Sequence, residues 1–293
     1  MSALPAPDRF SGFPRALICG SFTLPLRRPL IMGIVNVTPD SFSDGGRFLD
    51  PGRAIEQANR LVEEGADILD IGGESTRPGA DPVPVEEELA RVLPVLRAVR
   101  DLPLPVSVDT LKPEVMRVVL AEGASMINDV SALRAPGALD AVQGSRCGLC
   151  LMHMQGEPRT MQAAPHYGNV VAEVRAFLAQ RIAACEAAGI ARERLVIDPG
   201  FGFGKSGRHN LTLLRGLQAL RELGVPVLAG LSRKSTLGTI TGRGSEDRLA
   251  ASLAAALLAV ERGASIVRVH DVAATRDVLL ILRAVNGDND PQP

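Results

Sequence analysis

The chain reads as one (β/α)8 TIM barrel. Eight short apolar runs recur along residues 30–269. A segment of helical periodicity follows each run. Polar residues collect directly after the runs rather than before them, and barrel enzymes place their chemistry on that face. Unbroken apolar strands also suit a parallel sheet covered on both sides. A doubly wound open sheet would instead show one phosphate loop at a switch point.

Residues 1–14 read as a loose tail, 287–293 as a second, and 15–286 as a single domain. The start has Pro and Gly but no apolar core of a signal peptide, which predicts a cytoplasmic protein. Ala16-Leu17-Ile18-Cys19 and Phe22-Thr23-Leu24-Pro25-Leu26, split by Gly20-Ser21, predict a β-hairpin that closes the barrel bottom. Strand one, Leu30 to Val35, runs into Asn36-Val37-Thr38-Pro39-Asp40-Ser41, with a helix expected over 51–64. Strand two, residues 66–71, runs into Gly72-Gly73-Glu74-Ser75-Thr76-Arg77-Pro78-Gly79, with a helix over 85–99. Strand three is Val106-Ser107-Val108, ending at Asp109-Thr110, and Pro113 suits the first turn of the next helix. Strand four, Met126-Ile127, ends at Asn128-Asp129 before a short helix near 137–143. Strand five, 149–152, ends at His153-Met154-Gln155, with a long helix over 169–188. Strand six, 195–197, ends at Asp198-Pro199-Gly200, with a helix over 210–223. Strand seven, 227–231, ends at Ser232-Arg233-Lys234-Ser235, with a helix over 245–262. Strand eight, 265–267, ends at Arg268-Val269-His270-Asp271, with a helix over 274–285.

Composition narrows the partners. A formal net charge of −1 argues against nucleic acid as the main partner, while leaving room for a local anion site. There is no apolar run of about 18 residues, so no membrane span is expected. One Tyr, eight Phe and no Trp imply an aliphatic, Ala-rich core. Cys147-Gly-Leu-Cys150 has the spacing of a redox or zinc pair, but residues i and i+3 of a strand face opposite ways, so the sulfurs should diverge. With Cys19 and Cys185 they read as structural thiols in a reducing compartment.

The motifs divide unevenly. Gly200-Phe201-Gly202-Phe203-Gly204-Lys205-Ser206 resembles a phosphate loop, yet Pro199 stands where the P-loop needs its first Gly. It reads instead as a flexible rim loop whose glycines admit a flat ligand. Ser232-Arg233-Lys234-Ser235 follows strand seven, where barrels often bind anions. Asp109, Asn128 and Asp198 end strands three, four and six; together they suit a planar ligand with amino and ring N–H donors. Arg268 and His270 share one face at the end of strand eight, and Arg suits both phosphate and a flat ring. Asn36 alone is a weak metal ligand, but Mg2+ needs few protein ligands when phosphates supply the rest. No His, Asp or Glu cluster has zinc spacing.

These residues resemble a known family, dihydropteroate synthase, the sulfonamide-sensitive enzyme of folate synthesis. The likeness lies in residues 33–45, 70–79, 108–110, 127–130, 152–156, 197–206, 232–235 and 268–272, in family order. The resemblance implies that p-aminobenzoate attacks the CH2 of 6-hydroxymethyl-7,8-dihydropterin pyrophosphate, releasing pyrophosphate and 7,8-dihydropteroate. It implies that Asp109, Asn128, Met152, Asp198, Lys234 and Arg268 hold the pterin. Asn36, Thr76, Arg77, Arg268 and His270 would meet pyrophosphate, with Mg2+ at Asn36. Arg77, Pro78, Phe203, Lys234 and Ser235 would line the p-aminobenzoate site. Asp109, Lys234, Arg268, Thr76 and Arg77 would carry the chemistry, with Asp109 and Asp198 as anions facing a developing cation. Sulfonamides would inhibit, and a homodimer would form through late helices, including 245–262. The loops after strands one and two would act as a mobile cover, with Gly73 and Gly79 as flanks that permit motion. Two other readings are a pterin-dependent methyltransferase barrel and a catalytically silent homologue serving as a scaffold.

Overall fold

The computed structural model describes residues 15–38, 51–75, 79–157 and 159–287. An antiparallel hairpin, β1 (Ala16–Cys19) and β2 (Phe22–Pro25), comes first. Eight parallel strands follow: β3 (Leu30–Asn36), β4 (Ile68–Gly72), β5 (Val106–Asp109), β6 (Met126–Asp129), β7 (Gly148–Met152), β8 (Leu195–Asp198), β9 (Leu228–Ala229) and β10 (Ile266–Val269). Their order is β8-β7-β6-β5-β4-β3-β10-β9, and a bridge from Ile197 to Val227 closes the ring. This is the barrel that the sequence predicts.

Helices α1 (Pro51–Glu63), α2 (Val85–Val99), α3 (Pro113–Ala121), α4 (Ala138–Gln143) and α5 (Val170–Ala187) connect the first strands. Local chemistry sets their starts. Pro113 occupies the first turn of α3, where its missing N–H costs nothing. Asn169 caps α5 by accepting from the Ala172 amide at 3.1 Å. After β8 the expected single helix divides at Gly216 into α6 (Gly207–Arg215) and a 3-10 segment, Leu217–Leu223. After β9 a short helix, α7 (Ser235–Thr241), begins inside what the sequence presents as a rim turn. The following helix is shorter than expected, with a 3-10 turn at Ser245–Asp247 leading into α8 (Leu249–Glu261). The last is α9 (Val272–Asn286).

Strand parity organises the interior. Ile31, Val35, Leu69, Ile71, Val108, Ile127, Leu151, Ile197 and Val267 face out and pack beneath the helices. Met32, Ile68, Met126, Cys150, Val196, Leu228 and Ile266 face in and form a separate cluster with Leu17, Cys19 and Leu26 of the hairpin segment. The hairpin therefore plugs the barrel bottom. Two residues further along the same inward rows stand Asp70, Asn128, Met152, Asp198, Gly230 and Arg268. Because the side-chain period is two, the inner rows change from apolar to polar in one step up the barrel. Cys147 lies in the outer core and Cys150 in the inner cluster, so the two sulfurs diverge as expected. All four cysteines are buried and unpaired by disulfide.

Leu17→Ala should lower unfolding stability by about 2–5 kcal/mol, the usual cost of a cavity at a buried Leu. Urea unfolding measures the loss, and ligand binding at the opposite mouth should not change. A stability loss below about 1 kcal/mol would show that the plug is dispensable.

Candidate active site

The strand ends bring most of the expected residues to one mouth. Asn36 pairs in register with Gly72, Gly72 with Asp109, and Asp109 with Asn128. Gly72 opens the space between its neighbours. A Cβ there would sit 3.8 Å from Asn36 Oδ1 and 3.8 Å from Asp109 Cβ. Gly230 does the same across the barrel. A Cβ on it would lie 3.8 Å from Arg268 Cβ and 3.9 Å from both Asp198 Oδ2 and Lys234 Nζ.

A charge network ties this ring together. Arg268 Nε donates to Asp70 Oδ2 at 2.6 Å, and its Nη2 donates to Asp109 Oδ2 at 3.1 Å. Asn128 Nδ2 donates to the same Asp70 oxygen at 3.0 Å. Asp70 is fully buried, and its Oδ1 meets no hydrogen-bond partner among the described residues. It thus orients two site residues from below. In the sequence Asp70 reads as part of an apolar strand, and this role shows only once the barrel brings Arg268 and Asn128 to it. A carboxylate on the inward row of an otherwise apolar run was the available signal.

Burial tunes the ionisable groups. It pushes the Asp109 carboxyl up to about 7, with Arg268 opposing and Asp70 reinforcing. Asp109 is therefore a carboxyl whose charge is opposed by burial and supported by its ion pair with Arg268. Burial also raises Asp198, with Lys234 as the main counterweight. It lowers Lys234 to about 8, against the attraction of Asp198. For Arg268 burial works against the charge, but Asp70 and Asp109 more than compensate and hold it above its ordinary value.

The remaining wall is apolar. Val130, Met152, Met154 and Met161 form a small cluster, with Leu111 and Phe203 packed against it. Lys234 Nζ lies 4.7 Å from the centre of the Phe203 ring and donates to the Phe201 carbonyl. Ser235 is exposed at the start of α7. Ser232 Oγ and His270 Nδ1 are 2.9 Å apart, which links the β9 and β10 loops. Arg233 turns away from the mouth to pair with Asp271 at 2.7 Å. Of the two cations in that motif, only Lys234 joins the cluster of Asp198 and Arg268.

Two loop readings change. The glycine-rich loop after β8 is not a loose rim. Lys205 is buried, and its Nζ reaches His153 Nδ1 at 2.9 Å and the carbonyls of Gly200 and Phe203 at 2.9 Å each. Burial first, and Lys205 second, lowers His153 to about 3, and burial lowers Lys205 in turn to about 7. Gly200 and Gly204 have φ of +67° and +61°, and a Cβ on them would meet the His153 and Gln155 carbonyl oxygens at 1.9 and 2.4 Å. Their role is close backbone approach between the β7 and β8 loops rather than ligand entry. In the β4 loop, Gly73 cannot serve as a free hinge, because a Cβ there would meet Val92 Cγ2 of α2 at 2.6 Å. Glu74 is fastened as well, accepting from the Val83 amide at 2.9 Å and from Lys112, which also pairs with buried Glu88 at 2.5 Å. Thr76, Arg77 and Pro78 lie outside the described residues, as do positions 39–50, so the expected cover over the mouth falls there.

Carboxylates, an amide and a guanidinium gathered at one mouth, with a cation beside Asp198 and over an aromatic ring, define a barrel enzyme for a flat, nitrogen-rich heterocycle. Residues 32–270 match the family of pterin binding enzymes. The chain is 52% identical to dihydropteroate synthase of Haemophilus influenzae over 262 residues, covering 89% of this chain and 95% of that one. Xanthomonas albilineans dihydropteroate synthase, solved with 4-aminobenzoic acid, has a TM-score of 0.88 and 59% identity, covering 94% of this chain and 99% of its own. The Burkholderia cenocepacia enzyme, solved with 7,8-dihydropteroate, has a TM-score of 0.85 and 52% identity, covering 94% and 98%. The chain belongs to the dihydropteroate synthase family.

The titrations define a pH profile. Asp109 must be ionised to accept N–H donors, so kcat/KM for the pterin substrate should fall as pH drops through about 7. Lys234 must stay cationic, so the rate should fall again as pH rises through about 8. Asp70→Asn removes a neighbouring negative charge that raises Asp109, and should move the acid limb to lower pH. Initial rates between pH 5 and 9 test both statements; an acid limb unmoved in Asp70→Asn contradicts the coupling.

Proposed function

We propose that this mouth condenses 6-hydroxymethyl-7,8-dihydropterin pyrophosphate with p-aminobenzoate, giving 7,8-dihydropteroate and pyrophosphate. The convergence of Asp109, Asn128 and Asp198 at one mouth, with Lys234 beside Asp198 and over the Phe203 ring, carries the reading. Carboxylates accept the amino and ring N–H groups of a pterin edge. Met152 and Val130 supply the apolar surface for its face. Phe203, Lys234 and Ser235 take p-aminobenzoate, and sulfonamides of similar shape compete there. Arg77 and Pro78 complete that end by family likeness.

An aryl amine is a weak nucleophile, so departure of pyrophosphate is the difficult part. The C–O bond to pyrophosphate breaks, the amine nitrogen bonds to the CH2, and the amine loses one proton. Asp109 and Asp198 face the positive charge that develops on the pterin side. Arg268, His270, Thr76, Arg77 and Asn36 receive the departing anion. No side chain need bond covalently to the substrate.

Mg2+ belongs to this reading. Among the described residues, no group of three His, Cys, Asp or Glu side chains could hold a metal. A single amide oxygen at half-buried Asn36 suits an ion that takes most of its ligands from phosphate and water. When bound, Mg2+ supplies positive charge to the leaving group.

The reading extends to assembly and compartment. Ile240, Leu249, Leu258, Ile281 and Val285 are exposed on α7, α8 and α9, with Val285 at 78%. These apolar side chains support a homodimer through the late helices. Among the described residues, no helix is long and apolar enough to cross a membrane. Four buried free thiols support a reducing, cytoplasmic setting.

Mixing the protein with the pterin pyrophosphate, Mg2+ and p-aminobenzoate should release pyrophosphate only when both organic substrates are present. Absence of release sinks the reading and favours a silent homologue or a methyltransferase. Asp198→Asn should cut kcat/KM at least 100-fold, about 2.7 kcal/mol, without unfolding the barrel. Near-normal turnover in that variant would remove Asp198 from the pterin site.

A further inference from the structure

The turn after β6 has an unusual backbone. Ala132 and Leu133 are consecutive residues in the left-handed region, with φ of +53° and +57°. Each carries a Cβ that this conformation crowds, and such strain persists only where the surroundings fix it. No glycine is available until Gly137. Both residues are buried and pack into the outer core.

Three charged side chains bond the turn: Asp129, Arg181 and Arg134, whose Nε donates to the Ser131 carbonyl at 3.0 Å. Asp129 Oδ1 accepts from the Ser131 amide and Oδ2 from the Leu133 amide, each at 2.7 Å. The Asp129 carbonyl accepts from the Ala132 amide at 3.0 Å. From α5, Arg181 Nε donates to the Ala132 carbonyl at 2.8 Å and Nη2 to the Leu133 carbonyl at 3.1 Å. Every one of these bonds is made to the backbone of residues 131–133. Asp129 is fully buried, and burial raises its carboxyl to about 6, with the two amides and Arg134 and Arg181 opposing. It therefore remains largely ionised at neutral pH.

The strained turn adjoins the mouth. Strand alternation sends Asn128 inward, to Asp70, and Asp129 behind the sheet. Val130 joins Met152, Met154 and Met161 in the apolar wall. Asn128 is fixed independently by its register with Asp109 and Cys150. Val130 lies beyond the last rung, so its place depends on the turn that follows.

We propose that Asp129 is a positioning residue for the pterin: with Arg181 it clamps the left-handed 131–133 turn and so fixes Val130 against the face of the ring. This rests on the pterin assignment made above. Asp129 touches no substrate. It acts through the backbone it holds.

Isothermal titration of the full chain with 6-hydroxymethyl-7,8-dihydropterin tests the proposal. Asp129→Asn should weaken pterin binding at least ten-fold, while the KM for p-aminobenzoate stays within about two-fold. Adding Ala132→Gly to Asp129→Asn should recover most of the lost affinity, because glycine holds positive φ without the carboxylate. If Asp129→Asn does not fold, Arg181→Met loosens the same turn from α5 and should weaken pterin binding in the same way. Parental pterin affinity in the folded variant overturns the proposal, as does a failure of Ala132→Gly to restore any affinity. Asp198→Asn separates this from the underlying assignment. If it also binds pterin normally, the assignment of the site fails; if it alone loses pterin, only the role of Asp129 fails.

Discussion

The mouth depends on one largely enclosed guanidinium shared by two carboxylates. Arg268 cannot be stripped from Asp70 and Asp109 without leaving charge uncompensated in the barrel, and that is far more costly than the net value of the pair itself. The arrangement exists because strand parity puts Asp70, Asp109, Asn128, Asp198 and Arg268 on inward rows above an aliphatic plug. Below it the barrel is filled largely by apolar residues such as Met32, Met126, Cys150 and Ile266, with Ser107 as a polar group in register with Asp70. The charged layer must satisfy itself, and Asp70 is how it does so. Its Oδ2 receives both Arg268 and Asn128, so a residue remote from the rim sets two residues on it.

Much of this was legible in the sequence, for a definite reason. Continuous apolar strands, periodic helices and polar strand ends are local patterns, and closure of the barrel follows from their number and order. The residues at strand ends, Asn36, Asp109, Asn128, Asp198 and Arg268, inherit their convergence from that closure. What escaped was information carried by neighbours distant in sequence. Asp70 looks like a strand residue until Arg268, 198 positions later, reaches it. Gly200 and Gly204 look flexible until the carbonyls of His153 and Gln155 occupy the space beside them. Gly73 looks like a hinge until Val92 packs on it. Glycine signals backbone permission, and only the tertiary partner shows whether motion or close approach uses it.

The described segments after β6, β7 and β8, with the stem of the β4 loop, are tied by more bonds than their composition suggests. Lys205 draws the β7 and β8 loops together through backbone carbonyls, and Asp129 with Arg181 does the same for the β6 turn. Lys112 holds the stem of the β4 loop through Glu74 and Glu88. In each case a buried charge holds a connecting segment in place. Buried charges need several partners to be tolerated, and backbone groups in irregular segments need partners too. The two requirements are met by the same bonds. That explains how a site made of connecting segments acquires the precision that binding a flat ring demands.

The same network constrains how a ligand enters. One oxygen of Asp109 accepts from Arg268 Nη2, while burial, with Asp70 and other carboxylates nearby, holds its carboxyl above its ordinary value. A pterin edge that brings N–H donors to Asp109 stabilises the anion and competes with the guanidinium for it. The Nε bond to Asp70 does not involve Asp109, so it would survive a loss of the Nη2 contact. On the proposed reading, the Nη2 arm is then available to the ring face and to the pyrophosphate beside it. On that reading, binding of the heterocycle and capture of the leaving group would be coupled through a single side chain. The coupling needs no large movement, because the fixed Nε–Asp70 bond serves as the pivot. It also gives Asp70 a function beyond burial: without that anchor, an Arg268 displaced from Asp109 would have no fixed position from which to meet the developing charge.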